Sequence, residues 1–232
     1  KNLLNHFILS NLYSKNPDVV WIYNGQVMDI ECKRDFNRLL TRVCEEVYPA
    51  TPVFNNELVN KHRITNSIHL AKKNYLKALI NHWDQPDLGF DKEKFPPEKT
   101  IYLTLLKSNG IQLYSDKANH KVQPSKNSSF QNLWQKSMEF LDNSKTGKRK
   151  VSELSETLTV RPFKLKQGLI DFWIPTFLFI KRDDYALFGN GGYIPQLTDE
   201  VLELLIKYPE NYEVKAFDIE GVRLDIFNRY RM

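Results

Sequence analysis

Cysteine is nearly absent from this chain of 232 residues, and the two that occur, Cys32 and Cys44, are too few to staple a fold of this size. Both stand among apolar neighbours, which predicts buried free thiols. Long apolar runs are lacking as well. The most apolar stretch, Gly168 to Ile180, is 13 residues long and contains Asp171, whereas a membrane-spanning helix needs about 20 apolar residues. It therefore predicts a core helix, and no membrane partner is expected. No basic-then-apolar leader opens the chain, so a cytoplasmic location is expected rather than secretion. The first residue is Lys1 rather than Met, which points to a piece of a larger protein or to lost leading residues.

The motifs of common chemistries are also lacking. No phosphate-binding G-x-x-x-x-G-K-[ST] occurs; Thr146-Gly147-Lys148 has neither the upstream glycine nor a following Ser or Thr. Gly189-Asn190-Gly191-Gly192 falls inside a predicted hairpin, not before a helix, and reads as a turn. His62, His69 and His82 share one region, but no Cys or carboxylate accompanies them, so no metal site is expected. The acid pairs Glu45-Glu46 and Asp183-Asp184 are sequence neighbours, which diverge on a helix and do not make a two-carboxylate site. No nucleophile elbow is visible either. An enzyme is not expected in this chain, nor is a cofactor.

What is present is the material of a packed core: 41% hydrophobic and 12% aromatic residues, in a chain long enough for one large domain or two small ones. Asn2 to Tyr13 reads as a short helix. Two β-rich runs flank Asn24-Gly25, the signal of a two-residue hairpin. Asp35 to Val47 follows as an amphipathic helix with Phe36, Leu39, Leu40, Val43 and Val47 on its stripe, ended by Tyr48-Pro49. Further helices are predicted at Asn55 to Asn60, at Asn66 to Trp83 with Trp83 inward, and from Pro97 to Asn109-Gly110. Ile111 to Tyr114 and Lys121 to Gln123 then suggest a second hairpin ending at Pro124. Residues 125–129 are polar and unpatterned, a linker candidate. Beyond them come a helix at Phe130 to Leu141, a basic loop at Asn143 to Lys150, a helix at Val151 to Leu158, and an apolar helix at Pro162 to Ile180 that Pro175 should kink or split. A third hairpin at Tyr185 to Ile194, a helix capped by Thr198 and running to Tyr208, and two β-rich runs within Tyr212 to Phe227 complete the chain.

Each half thus ends its helices on an amphipathic helix that runs into a proline-closed hairpin. The predicted fold is α+β and helix-rich, with tandem winged-helix-like domains whose wings are β-hairpins. The domains are 1–124, including the N-terminal hairpin, and 130–232, including a C-terminal α/β extension, joined by the linker at 125–129.

One further absence points to function. From Leu58 to Trp83 there is no acidic residue, while Lys61, Arg63, Lys72, Lys73 and Lys77 lie there with Asn66, His69 and Asn81. If Ile68, Ala71, Tyr75 and Leu79 face the core, then Asn66, His69, Lys73, Lys77 and Asn81 line the opposite side, where cations and amides suit phosphates and groove edges. A solvated lysine-rich face is the plain alternative. Lys148, Arg149 and Lys150 form a second basic cluster that could clamp a backbone or serve solubility alone. Lys and Arg outnumber Asp and Glu by 18 to 13 over residues 1–127 but balance at 15 to 15 over 128–232. The second half therefore suits docking better than a polyanion.

Three segments resemble a known family: Tyr48-Pro49-Ala50-Thr51-Pro52-Val53-Phe54-Asn55-Asn56-Glu57-Leu58-Val59-Asn60, Phe95-Pro96-Pro97-Glu98-Lys99-Thr100-Ile101-Tyr102, and Leu165 to Ile170 with the Tyr185 to Pro195 hairpin. They are similar to the C-terminal region of large bacterial P-loop ATPases of phage-defence islands, of the BREX-related kind. The resemblance implies a cytoplasmic bacterial protein whose ATP site lies outside this chain, and it assigns no catalytic residue. The leading expectation is a non-catalytic winged-helix module of a defence-type ATPase that binds duplex DNA through the basic helix. The alternative is a docking module that meets the rest of a parent ATPase or a partner subunit.

Overall fold

A computed structural model describes residues 3–4, 19–60, 66–114 and 122–217, and the chain divides into two compact units, Lys1–Pro49 and Ala50–Met232. Among the described residues the protein is α+β and helix-rich, with two small antiparallel sheets.

In the first unit, strands β1 (Trp21–Tyr23) and β2 (Gln26–Met28) pair across Asn24 and Gly25, whose φ angles of 50° and 77° make the primed turn that Asn-Gly favours. Helix α1 (Lys33–Val47) follows, and Trp21 meets Phe36 at 4.9 Å between ring centres. No residue of α1 is fully buried; Phe36, Leu39, Val43 and Val47 are half-buried and Leu40 is exposed. The cysteine expectation is corrected here. Both thiols are free but exposed, Cys32 lying just ahead of α1 with its sulfur 3.0 Å from Asp35 Oδ2. The helix expected over Asn2 to Tyr13 lies outside the described residues except for Leu3 and Leu4, which are helical.

The second unit runs α2 (Glu57–Asn60), α3 (Asn66–Asn81), α4 (Pro97–Leu105), α5 (Gln131–Asn143), β3 (Arg149–Lys150), α6 (Val151–Thr159), α7 (Gln167–Ile180), β4 (Tyr185–Gly189), β5 (Gly192–Ile194), α8 (Asp199–Lys207) and β6 (Tyr212–Ala216). Local chemistry sets many of the boundaries. Asn56 is buried and caps α2, its Oδ1 accepting from the N–H groups of Leu58 at 3.1 Å and Val59 at 3.3 Å, while its amide donates to Thr104. Pro97 opens α4, and Thr198 caps α8 by accepting from Val201 N–H. Asn190 and Gly191 turn β4 into β5 with φ of 49° and 81°.

α7 is the axis of this unit. Leu169 through Phe179 are eleven consecutive buried residues, so every neighbouring element packs on a hydrophobic surface with no solvent side. Its polar atoms are met from outside: Trp173 Nε1 donates to Ser137 Oγ on α5 at 2.9 Å, and Thr176 meets Tyr75 on α3 at 2.8 Å. The split expected at Pro175 does not occur; α7 is one helix over its 14 residues, because burial on all sides outweighs the one backbone hydrogen bond that proline cannot make.

Three other expectations are revised. Residues 111–114 and 122–124 are not strands, so the described parts of the expected second hairpin do not pair; residues 115–121 lie outside the described residues. Instead Gly110, at φ 73°, turns the chain, and Ser125 N–H returns to Asn109 O at 2.9 Å. The stretch 125–129 does not separate compact units. Ser128 donates to Asn109 Oδ1, Gln131 donates to the carbonyls of Pro124 and Ser125, and one hydrophobic cluster runs from Ala50 to Ala216 across it. Arg149 and Lys150, expected in a loop, form strand β3 opposite Val214 and Glu213. The resulting sheet order is β3-β6-β4-β5, with β6 inserted between β3 and β4. The C-terminal runs expected beyond Phe217 fall outside the described residues.

Gly168, in the first turn of α7, lets α2 approach closely: a Cβ there would press into the Val59 carbonyl oxygen. Gly168→Ala is expected to lower the unfolding free energy by about 1–3 kcal/mol through overpacking, read from urea denaturation. An unchanged midpoint would contradict this close approach.

Candidate interaction surface

The basic helix of the sequence is α3, and its buried face is the one the spacing predicts. Ile68, Ala71, Tyr75 and Leu79 are buried, joined by Leu76 and Ala78. The Thr176 hydroxyl donates to Phe172 O at 2.6 Å, so the Tyr75 hydroxyl donates to Thr176 and anchors α3 on α7. Burial pushes the Tyr75 phenol well above its ordinary pKa. Trp83, expected inward, lies just past the helix and is 39% exposed.

The predicted polyanion contacts separate into groups. Asn66, His69, Lys73, Lys77 and Asn81 are exposed along one side of α3. Lys61 and Arg63 lie outside the described residues. Lys72 does not belong to the open face. Its ammonium sits 3.2 Å from Asp171 Oδ2 on α7, with side-chain exposures of 16% and 11%, and Gln167 donates to the other Asp171 oxygen at 2.7 Å. The buried carboxylate on α7 requires a counter-charge, and Lys72 supplies it. Nor does Lys77 stand in acid-free surroundings. Glu200 at the start of α8 is held below the usual carboxylate range, chiefly by hydrogen bonds from its own backbone N–H and from the Thr198 hydroxyl, with the Lys77 charge contributing. In the second cluster Lys148 and Arg149 are compensated locally, while Lys150 engages Glu153 only through its backbone N–H. Lys148 lies 3.5 Å over the Phe188 ring and 4.0 Å from Glu213, Arg149 pairs with Glu153 at 3.1 Å, and Lys150 N–H donates to Glu153.

Beside the Lys72–Asp171 pair, α3, α7 and α8 enclose a groove of about 820 Å³. Leu70 from α3 and Leu204 from α8 line it while 61% and 47% exposed, joined by Ile206. His69, Lys73 and Lys207 are among its lining residues. Glu203 lines it too, and its Oε1 is shielded from solvent with no hydrogen-bond partner among the described residues. Such an orphaned acceptor calls for a donor that the described residues do not supply.

Comparison with family models, curated proteins and solved structures finds no match. The functional reading therefore rests on the groove and the α3 face themselves. Among the described residues, no group of three or more His, Cys, Asp or Glu side chains could hold a metal ion, and no helix is long and apolar enough to cross a membrane.

Sequence reasoning missed the groove because one wall comes from α3 and the others from α7 and α8, far along the chain. A signal for half of it was present: Leu70 is apolar yet lies off the Ile68, Ala71, Tyr75, Leu79 stripe. Nothing in the sequence joins it to Leu204 or Glu203.

The two adjacent lysines should behave differently. Lys72→Met strands a buried carboxylate and is expected to cost about 3 kcal/mol, whereas Lys73→Met should stay within about 0.5 kcal/mol. Thermal unfolding of the two variants measures this, and equal small losses would contradict the ion pair.

Proposed function

We propose that residues 50–217 act as a non-catalytic docking module, seating an amphipathic segment of a protein partner in the groove between α3 and α8. The observation that carries this reading is the convergence of two exposed leucines, Leu70 and Leu204, on a groove whose Glu203 Oε1 lacks a donor among the described residues. Apolar anchors give such contacts most of their energy, and a partner N–H or guanidinium would satisfy the carboxylate. The cations Lys73 and Lys207 beside it favour a partner with acidic flanks.

The segment from α5 to β5 supports a finer structural reading. Its order of helix, short strand, helix, helix and hairpin is that of a winged helix, with β6 as an added strand within the sheet. The counterpart in the first half would share the helices without a wing among its described residues. The partner in this reading is the remainder of a larger defence-type ATPase or one of its subunits, as the sequence resemblance implies.

Duplex DNA is the second reading, favoured by the exposed row Asn66, His69, Lys73, Lys77 and Asn81. One experiment separates the two. The module is titrated with duplex DNA over a salt series and, separately, with the remainder of the parent protein, using the wild type, Leu204→Asp and Lys73→Glu/Lys77→Glu; Lys72 is left intact to spare its ion pair. Docking predicts that Leu204→Asp abolishes association with the parent protein while DNA affinity stays weak. The DNA reading predicts salt-steep binding, about −0.9 in log–log slope per phosphate neutralised, that the double lysine variant removes and Leu204→Asp leaves unchanged.

A further inference from the structure

Beyond the C-terminal end of α3 lies a second cavity, of about 550 Å³, separate from the leucine groove. Trp83 just past α3, Phe179 and Arg182 at the end of α7, Tyr185 and Tyr193 on the β4–β5 hairpin, and Pro195 are among its walls. Two of the ring-bearing residues stay partly open to solvent, Trp83 at 39% and Tyr193 at 46% exposure. Exposed Trp and Tyr in a concavity are unusual, because burying either ring would be favourable.

The walls are held in place before any ligand arrives. The Arg182 guanidinium lies 4.3 Å from the Trp83 ring centre and 4.4 Å from that of Phe179, and its Nη1 donates to Phe179 O at 3.0 Å. A cation over these rings fixes their orientation and already fills the place a ligand ammonium would take. Tyr193 is steadied by Phe188, 5.9 Å away across the hairpin. The formal charges in the lining cancel, since Arg182 is matched by Asp183 and no lysine takes part.

We propose that this cavity binds a proline-rich extended segment of a protein partner, with pyrrolidine rings packed on Trp83 and Tyr193. Fixed aromatic walls with little net charge suit a polyproline II segment, which is rigid before binding and loses little conformational entropy. A single-stranded nucleic acid also stacks on exposed aromatics, but it needs a cationic track for its phosphates. The neutral lining offers none. The site shares no lining residue with the α3–α8 groove, so it stands whether or not that groove docks a partner.

The test uses the whole chain labelled with 5-fluorotryptophan, whose four resonances report Trp21, Trp83, Trp134 and Trp173 separately once Trp83→Phe assigns one of them. Decaproline, decaserine and decathymidylate are each titrated while ¹⁹F shifts are followed. The expected result is a saturable shift of the Trp83 resonance with decaproline alone, with the buried Trp134 and Trp173 unmoved. Tyr193→Ala should weaken that binding about tenfold, equivalent to 1.4 kcal/mol, while Tyr193→Phe retains it. No Trp83 shift at millimolar decaproline, a shift indifferent to Tyr193→Ala, or a response to decathymidylate instead would each overturn the assignment.

Discussion

Eleven consecutive buried residues on one helix leave that helix no solvent side, and the second unit is organised by this constraint. A segment enclosed all round must have each of its polar groups satisfied by a neighbour, since burying one without a partner costs several kcal/mol. Hence Ser137 faces the Trp173 indole, Tyr75 faces Thr176, and Gln167 and Lys72 converge on Asp171. The last of these links the core to the surface. A carboxylate inside α7 takes one cation from the acid-free helix, so the face that composition marks as positive is less so in three dimensions.

The same satisfaction argument gives meaning to Glu203. Most buried polar groups in a native fold find partners, and within this unit even the deeply placed Lys99 ammonium is met by the carbonyls of Asp91, Lys92 and Lys94. Against that background, a shielded carboxylate oxygen without a donor among the described residues, beside two exposed leucines, is what favours the docking proposal. Docking accounts for the leucines and the carboxylate together, whereas DNA binding uses neither.

Much of the local structure was legible in the sequence, because its causes are local. Asn24-Gly25 and Asn190-Gly191 can adopt the positive φ that their turns need, Pro97 starts a helix, and Thr198 caps one. The interior stripe of α3 followed from 3.6-residue spacing. What failed was long-range. β3 is two residues long and is a strand only because β6 pairs with it from far along the chain, Arg149 opposite Val214. The polar stretch 125–129 reads as a linker until Asn109 is seen to bind it. Lys72 and Lys73 are identical in type and adjacent in sequence, yet α7 claims only the first. Cys44 was misread because apolar sequence neighbours on α1 are not the same as a covered helix face, and Cys32 because it lies ahead of that helix in the open.

The claim underlying all of this is that α7 joins the elements before and after residues 125–129 into one cooperative body. Native-state hydrogen exchange across a denaturant series measures it directly. The expected result is that the most protected amides of α3, α5 and α7 share one opening free energy and one denaturant dependence. If α5 and α7 kept their protection under conditions where α3 and α4 exchange freely, the chain would consist of two independent domains meeting near 125–129, and the groove would join separate bodies.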